Sequence, residues 1–377
     1  MRLITLRLTL ITFTLFAMGS VLALAAGKAV PTMGEMAYIS SQSAVTRVYL
    51  MDVQRHISLP VDRPYVNDCC LTWSPDGKLL TMVVDMSSDG STDIFTSDFH
   101  SPPLRLTNVT GADLYPAFSP DGRYIAYTGY GYGNPQIYLM NADGTEPRQL
   151  TGPRALVNLN PRPVWSTDGR SVLFSDFGNV DSLFTVPADC NDPCDTSIHT
   201  DFQISGAELM TTNFVPLDAT RILLAAFSRS REGGYGIYVM DTQKAKAPER
   251  LTWNADISSP TVAVYGRWVA FVSGETDTSS DDEQSYLYIL DSSCIGTDEG
   301  CASVLRSITP NVDTNDNLSW SPDGRWLAFV KVEGRHSQLY MLDTTCLQTG
   351  QDCDPFIHTL SITSLRYIRP SWRPTMP

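Results

Sequence analysis

Eight cysteines are the residues whose type and spacing most constrain the chemistry of this chain. They fall into four local pairs: Cys69/Cys70, Cys190/Cys194, Cys294/Cys301 and Cys346/Cys353. A zinc centre needs thiolates and imidazoles placed close together. The five histidines, at 56, 100, 199, 336 and 358, are scattered. Arg2 and Arg7 followed by the uncharged, mostly apolar run 8–26 give the chain an export signal. An even cysteine count in an exported chain reads as disulfides. They are expected at Cys190 with Cys194, Cys294 with Cys301, and Cys346 with Cys353. Adjacent Cys69 and Cys70 admit either a strained ring or a reduced pair in the core, and only geometry decides between them.

Acidic side chains form the second set. Asp85, Ser87, Asp89, Gly90 and Asp93 place oxygen ligands at alternate positions, as a calcium loop does. The full loop signature and its terminal Glu are missing, so a solvated hairpin loop is the leading reading. Asp85, Asp89 and Asp93 stand as weak calcium candidates, and no other cofactor is expected. Asp277, Asp281, Asp282 and Glu283 read as a solvated charge run. No Gly-x-Ser-x-Gly nucleophile elbow is present. No catalytic residue is assigned.

The elements that carry these residues are repeated. Trp320-Ser321-Pro322-Asp323-Gly324-Arg325-Trp326 reads as a strand end, a tight turn and a strand start. Pro presets φ, Asp bonds the local backbone and Gly takes a left-handed angle. Trp73–Lys78, Phe118–Arg123 and Trp165–Arg170 repeat the pattern. Each turn is followed by a second strand, a third of the form Ile-Tyr-Leu-Met-Asn (137–141), and a fourth of the form Arg-x-Leu-Thr (148–151). Positions 73, 118, 165, 214, 262, 320 and 372 mark seven first strands, separated by 45 to 58 residues. Four-stranded units at this period are propeller blades, which bury their faces only by stacking until a ring closes.

The segment after residue 35 supplies strands without a first strand, and Arg369–Pro374 supplies a first strand with nothing after it. The expectation is an all-β fold: a single seven-bladed β-propeller of four-stranded antiparallel blades. Pairing of the N- and C-terminal strands would close it. Six blades is the alternative if those strands do not pair. Residues 1–25 are read as a signal peptide or membrane anchor, 26–35 as a linker and 36–374 as the propeller.

The repeated combination of Trp-Ser-Pro-Asp-Gly-(Lys/Arg), Ile-Tyr-(Val/Leu)-Met-(Asp/Asn) and Arg-x-Leu-Thr resembles the TolB-like propeller repeat, over essentially the whole chain after residue 35. The family's best-known member is a periplasmic protein of the Tol-Pal envelope system, and the same repeat builds propellers beside serine peptidase domains. This chain departs from both. It is expected to lack TolB's N-terminal α/β domain, to have seven blades where TolB has six, and to leave no room for a hydrolase domain. The resemblance implies the fold and an extracytoplasmic setting, periplasmic, secreted or surface-anchored. It does not imply an activity.

In a propeller the first strands line the central channel, and the loops before them surround its mouth. Asp68, Asp113, Tyr115, Arg162, Asp256, Asn317 and Arg369 are the mouth residues where the repeat varies. Variable polar and aromatic groups at one mouth suit a small ligand or a protein loop. A water-filled polar channel is the plainer reading. The formal charge of −14 with no basic run disfavours nucleic acid. The expected protein is a monomeric, non-enzymatic binding scaffold, touching a membrane only through an uncleaved N-terminal anchor. The alternative is a metal-assisted carbohydrate lyase or lactonase with its site at the channel mouth.

Overall fold

Each Ser-x-Asp-Gly segment closes on itself in the same way. In the first, the Ser74 hydroxyl donates to Asp76 Oδ1 at 2.7 Å and accepts from the Leu79 amide at 2.9 Å. Gly77 turns the chain with φ 68°, and its amide donates to the Ser74 carbonyl at 2.8 Å. The serine–aspartate bond recurs at 2.6 Å in Ser119–Asp121, Ser166–Asp168 and Ser321–Asp323. Where the motif is lost, Asp218 does the same work, accepting from the Thr220 and Arg221 amides at 2.9 and 2.8 Å.

The computed structural model describes residues 34–375 apart from 43–44, 65, 67–69, 87–90, 132–133, 153–160, 177–181, 191–198, 204–208, 229–233, 243–247, 253–261, 276–283, 298–299, 314–317, 334–335 and 361–367. Met33–Pro377 is one compact unit. The N-terminal unit, with the apolar run 8–26, lies outside the described residues.

The strands form seven four-stranded antiparallel sheets. Blade 1 runs from Thr72–Trp73 through Leu80–Asp85 and Thr92–Ser97 to Leu104–Arg105. Blade 2 begins with Asp113–Phe118 and ends with Arg148–Gln149. Blades 3, 4, 5 and 6 begin with Val164–Trp165, Leu209–Pro216, Val262–Tyr265 and Ser319–Trp320. Blade 7 is composite. Its strand order is Ile368–Trp372, Glu35–Gln42, Val45–Asp52 and Ile57–Pro64. Met36 stands opposite Trp372 and Ile39 opposite Arg369. The seven-blade expectation holds, with closure by the two chain ends.

Seven apolar clusters fill the seams between blades. Ala37, Ile39 and Val48 of blade 7 pack with Trp73, Leu80 and Met82 of blade 1. Met36 and Tyr38 pack on the other side with Trp326 and Val330 of blade 6. Each fully buried Leu, Ile or Phe contributes roughly 1.5–3 kcal/mol. Within blades, aromatic residues directly opposite one another stack: Tyr38 on Tyr49, Tyr127 on Tyr138, Phe271 on Tyr288 and Phe329 on Tyr340. The third-strand tyrosines therefore belong first to cross-strand pairs of their own blade.

First strands meet one another around the ring, so they form its inner edge. The indole Nε1 of Trp165 donates to the Ala117 carbonyl at 2.9 Å, and that of Trp320 to the Ala263 carbonyl at 3.2 Å. The Thr72 hydroxyl donates to the Pro116 carbonyl at 2.9 Å.

Cys294 bonds Cys301 and Cys346 bonds Cys353, each across the loop from a third to a fourth strand. Both lie inside seam clusters, between blades 4 and 5 and between blades 5 and 6. Cys190 is also disulfide-bonded, while Cys194 lies outside the described residues. Cys70 is disulfide-bonded, so the reduced alternative for it does not hold; Cys69 lies outside the described residues.

Candidate functional site

The loops that enter the first strands and those that join second to third strands share one face. Of the mouth residues, Asp68, Asp256 and Asn317 lie outside the described residues. Asp113, Tyr115, Arg162 and Arg369 are described. The structure brings Tyr115 of blade 2 and Arg162 at the entry to blade 3 together: the guanidinium carbon sits 4.8 Å from the centre of the Tyr115 ring.

Tyr115 owes its position to a bulge. The pairing of Asp113–Phe118 with its neighbour slips between Leu114 and Ala117. Tyr115 takes φ 55°, a left-handed angle that costs a non-glycine residue of its size on the order of 1–2 kcal/mol. Bulges re-aim single side chains at the ends of sheets. Pro116 follows, buried, with its carbonyl held by Thr72 of blade 1. Arg369 is half-buried in the first strand of blade 7, opposite Ile39.

Asp113 is sealed, at 1% exposure. Its Oδ2 has no hydrogen-bond partner among the described residues. Burial pushes its carboxyl up to about 6, and the Asp93 charge adds to this. The Thr107 hydroxyl and the Arg105 guanidinium oppose it. Burial, with the Asp113 charge behind it, also raises the nearby Tyr127 hydroxyl well above its ordinary value. Asp93 itself is fully buried and ion-paired to Arg105 at 2.5 Å, with Thr107 Oγ1 3.4 Å from Oδ1. In blade 2 the place of Asp93 is taken by Gln136, whose Oε1 accepts from Thr151 at 2.8 Å. The acid or amide and the threonine are thus a repeated clasp between third and fourth strands. Arg105 and Thr107 were legible only as strand formers; the signal that could have found Thr107 is the recurrence of Leu-Thr, at 106–107 and 150–151, across from a polar residue that starts the third strand.

Asp85 and Asp93 do not assemble a calcium site together. Asp85 stands opposite Thr92 and Asp93 opposite Val84 on paired strands, so the two carboxylates leave opposite faces of the sheet. Asp89 lies outside the described residues. Among the described residues no group of three His, Cys, Asp or Glu side chains could hold a metal ion. His336 begins a third strand, and His358 meets the Trp326 ring edge-on at 5.6 Å.

Residues 23–192 match the family described as TolB beta propeller domain. The Tol-Pal system protein TolB of Francisella tularensis subsp. mediasiatica is 29% identical over 210 residues, 54% of this chain and 45% of that protein. An uncharacterized peptidase of Bacillus subtilis, YuxL, is 25% identical over 177 residues, 46% of this chain and 24% of that one. The chain thus spans less than half the length of the curated relatives it matches. Among solved structures, a puromycin-hydrolyzing peptidase of Mycobacterium tuberculosis aligns with a TM-score of 0.59 at 13% identity, over 86% of this chain and 53% of that one. At that identity the likeness is one of fold. The described residues form a seven-bladed β-propeller, and over residues 23–192 its repeats match those of the TolB beta propeller domain.

Proposed function

We propose that this propeller is an exported, non-enzymatic scaffold that binds a protein partner on the face carrying Tyr115 and Arg162. One observation carries the reading. A bulky residue is held at a strained angle and its ring is capped by a guanidinium from the next blade. Such strain persists only where the surroundings enforce it, and it clusters at functional sites. Tyrosine and arginine are also the side chains that most often anchor protein interfaces. The export reading rests on the run 8–26 and on buried disulfides, which suit an oxidising compartment. A relative named for the Tol-Pal system supports an envelope or cell-surface setting.

The enzymatic alternative would draw on Asp113, whose carboxyl burial raises to about 6. Its burial keeps it from a substrate. The test is cross-linking of the exported chain in its native envelope, followed by mass spectrometry, for the wild type and the Tyr115→Ala/Arg162→Ala double variant. A partner cross-linked to this face in the wild type and lost in the variant supports the reading. Stoichiometric divalent metal together with turnover of a lactone or uronic-acid sugar would overturn it in favour of the enzyme.

A further inference from the structure

Asp113 lies two residues before the strained Tyr115, on the same first strand. Asp113 stands opposite Gly129 and Leu114 opposite Thr128, and regular pairing resumes with Ala117 opposite Ala126. Tyr115 and Pro116 therefore face Tyr127 alone, one residue more than the partner strand can match. Gly129 makes room for the buried carboxyl. A methyl group there would lie 3.1 Å from Asp113 Oδ1 and 2.9 Å from the Tyr138 ring.

Across the seam, blade 1 presents Asp93 from its third strand and Arg105 from its fourth, with Thr107 just beyond. Blade 2 presents Tyr127 from its second strand and Tyr138 from its third. The Thr107 hydroxyl hydrogen-bonds the Asp113 carboxyl, while Oδ2 has no partner among the described residues. Arg105 is already paired with Asp93. A neutral Asp113 leaves these charges balanced. An ionised one sets a second negative charge against a single guanidinium, away from water.

The bulge offers that charge a way out. Moving residues 113–116 by one position along the partner strand would bring Pro116 opposite Tyr127, Tyr115 opposite Thr128 and Leu114 opposite Gly129. A slip of one residue turns every side chain to the other face. Leu114 would then take the place beside Gly129, and Asp113 would pass beyond the paired strands toward water. Tyr115 would lose its left-handed angle and its contact with Arg162. The bonds broken are local: Thr92 Oγ1 to the Asp113 carbonyl at 3.3 Å, and the Tyr130 amide to the Ala112 carbonyl at 2.9 Å.

We propose that Asp113 is a proton-operated latch for the Tyr115–Arg162 face: its neutral carboxyl holds the bulged register, and its ionisation releases residues 113–116 by one position and takes Tyr115 off Arg162. As a control on partner binding the latch rests on the function proposed for this face; as a change of register it does not. A proton shifts such an equilibrium only by its different affinity for the two registers. Two penalties, the buried charge and the strained angle, are relieved by the same slip.

Hydrogen exchange of the full chain, without any partner and corrected for intrinsic exchange rates, tests this at pH 5 and pH 7.5. Asp113 loses its proton at about 6 in the bulged register and near its ordinary 3.8 once released. The released fraction is then expected to rise about tenfold between the two pH values, read at 113–118 and 128–130. Asp113→Asn is expected to abolish that ratio. Arg162→Ala, which removes the cap on the ring, is expected to raise exchange about threefold at both pH values and leave the ratio intact. The first strand of blade 4, Leu209–Pro216, is expected not to respond. The proposal is overturned if the wild type shows no ratio, if Asp113→Asn keeps it, if Arg162→Ala changes nothing, or if Leu209–Pro216 loosens equally. Failure to find a partner at this face would remove the proposed function and leave the latch standing.

Discussion

The indole Nε1 of Trp73 donates to the carbonyl of Ser371 at 3.0 Å, across a separation of 298 residues. It is the repeated indole bond between neighbouring first strands, here made between the first complete blade and the C-terminal strand. Arg373 completes the closure. Its Nε donates to the Gly77 carbonyl at 2.6 Å, its terminal nitrogen pairs with Glu35, and its guanidinium lies 5.3 Å from the Trp73 ring centre.

Arg373→Ala is therefore expected to cost about 2 kcal/mol, the sum of a charged hydrogen bond and a cation–ring contact. Glu35→Gln, which leaves the bond to Gly77 in place, is expected to cost under about 1 kcal/mol. Guanidinium unfolding midpoints check both. Hydrogen exchange in Glu35–Gln42 should rise in the arginine variant before any other strand. Equal costs for Arg373→Ala and for Arg267→Ala, whose side chain is more exposed, would show that the closure role is absent.

Gly324 is the turn glycine of blade 6, at φ 66°, and a methyl group on it would overlap the Tyr265 ring of blade 5. Gly324→Ala thus meets both left-handed strain and an overpacked seam, and should cost about 3 kcal/mol. Gly296→Ala meets only the first, since nothing lies within 4 Å of its added carbon at φ 79°. About 1 kcal/mol is expected there. Thermal unfolding of the two variants separates turn strain from seam packing.

Asp113 makes stability fall with rising pH. Its folded carboxyl titrates at about 6, above its ordinary 3.8. The folded state binds this proton more tightly than the unfolded chain does. The contribution is full below 3.8 and is lost as pH rises through about 6. Asp113→Asn removes the buried charge and should stabilise the protein at pH 7.5 by on the order of 2 kcal/mol, with little effect at pH 4. The turn carboxylates Asp76, Asp121 and Asp168, all held low, act in the opposite sense. The variant-minus-wild-type difference isolates Asp113. A difference that is flat from pH 4 to 7.5 would refute it.

The two pairs Cys294–Cys301 and Cys346–Cys353 share a sequence separation of 7. Loop closure in the unfolded chain therefore gives each about 2–3 kcal/mol. Replacing either pair by alanines should cost at least this, plus a packing loss, because all four cysteines are buried in the seams. Chemical denaturation of each double variant measures the sum, and the difference between the two reads packing alone.

The fold was legible because its cause repeats. Four Ser-x-Asp-Gly turns and seven first-strand positions set blade number and strand order without any knowledge of contacts. The same was true of the disulfides at 294–301 and 346–353, since short sequence separation leaves little choice of partner. The mouth site was less legible. Asp113 and Tyr115 look alike in sequence, two variable residues at one strand start. Only the bulge after Leu114 places one in a sealed seam and the other against Arg162.

Period, turn chemistry and the strand missing from the N-terminal segment are local properties of the chain, and the sequence determined them. Which side chain meets which across a seam is a property of the closed ring, and tertiary structure decided it. Gly77 and Gly324 show the division within single residues. Each is placed by the φ its turn requires, which its sequence neighbours announce. Each is also packed against the preceding blade, by the Pro374 carbonyl or the Tyr265 ring, which no local pattern announces. The pairing of Glu35 with Arg373 arises in the same way, from stacking blades whose partners are set only when the ring shuts.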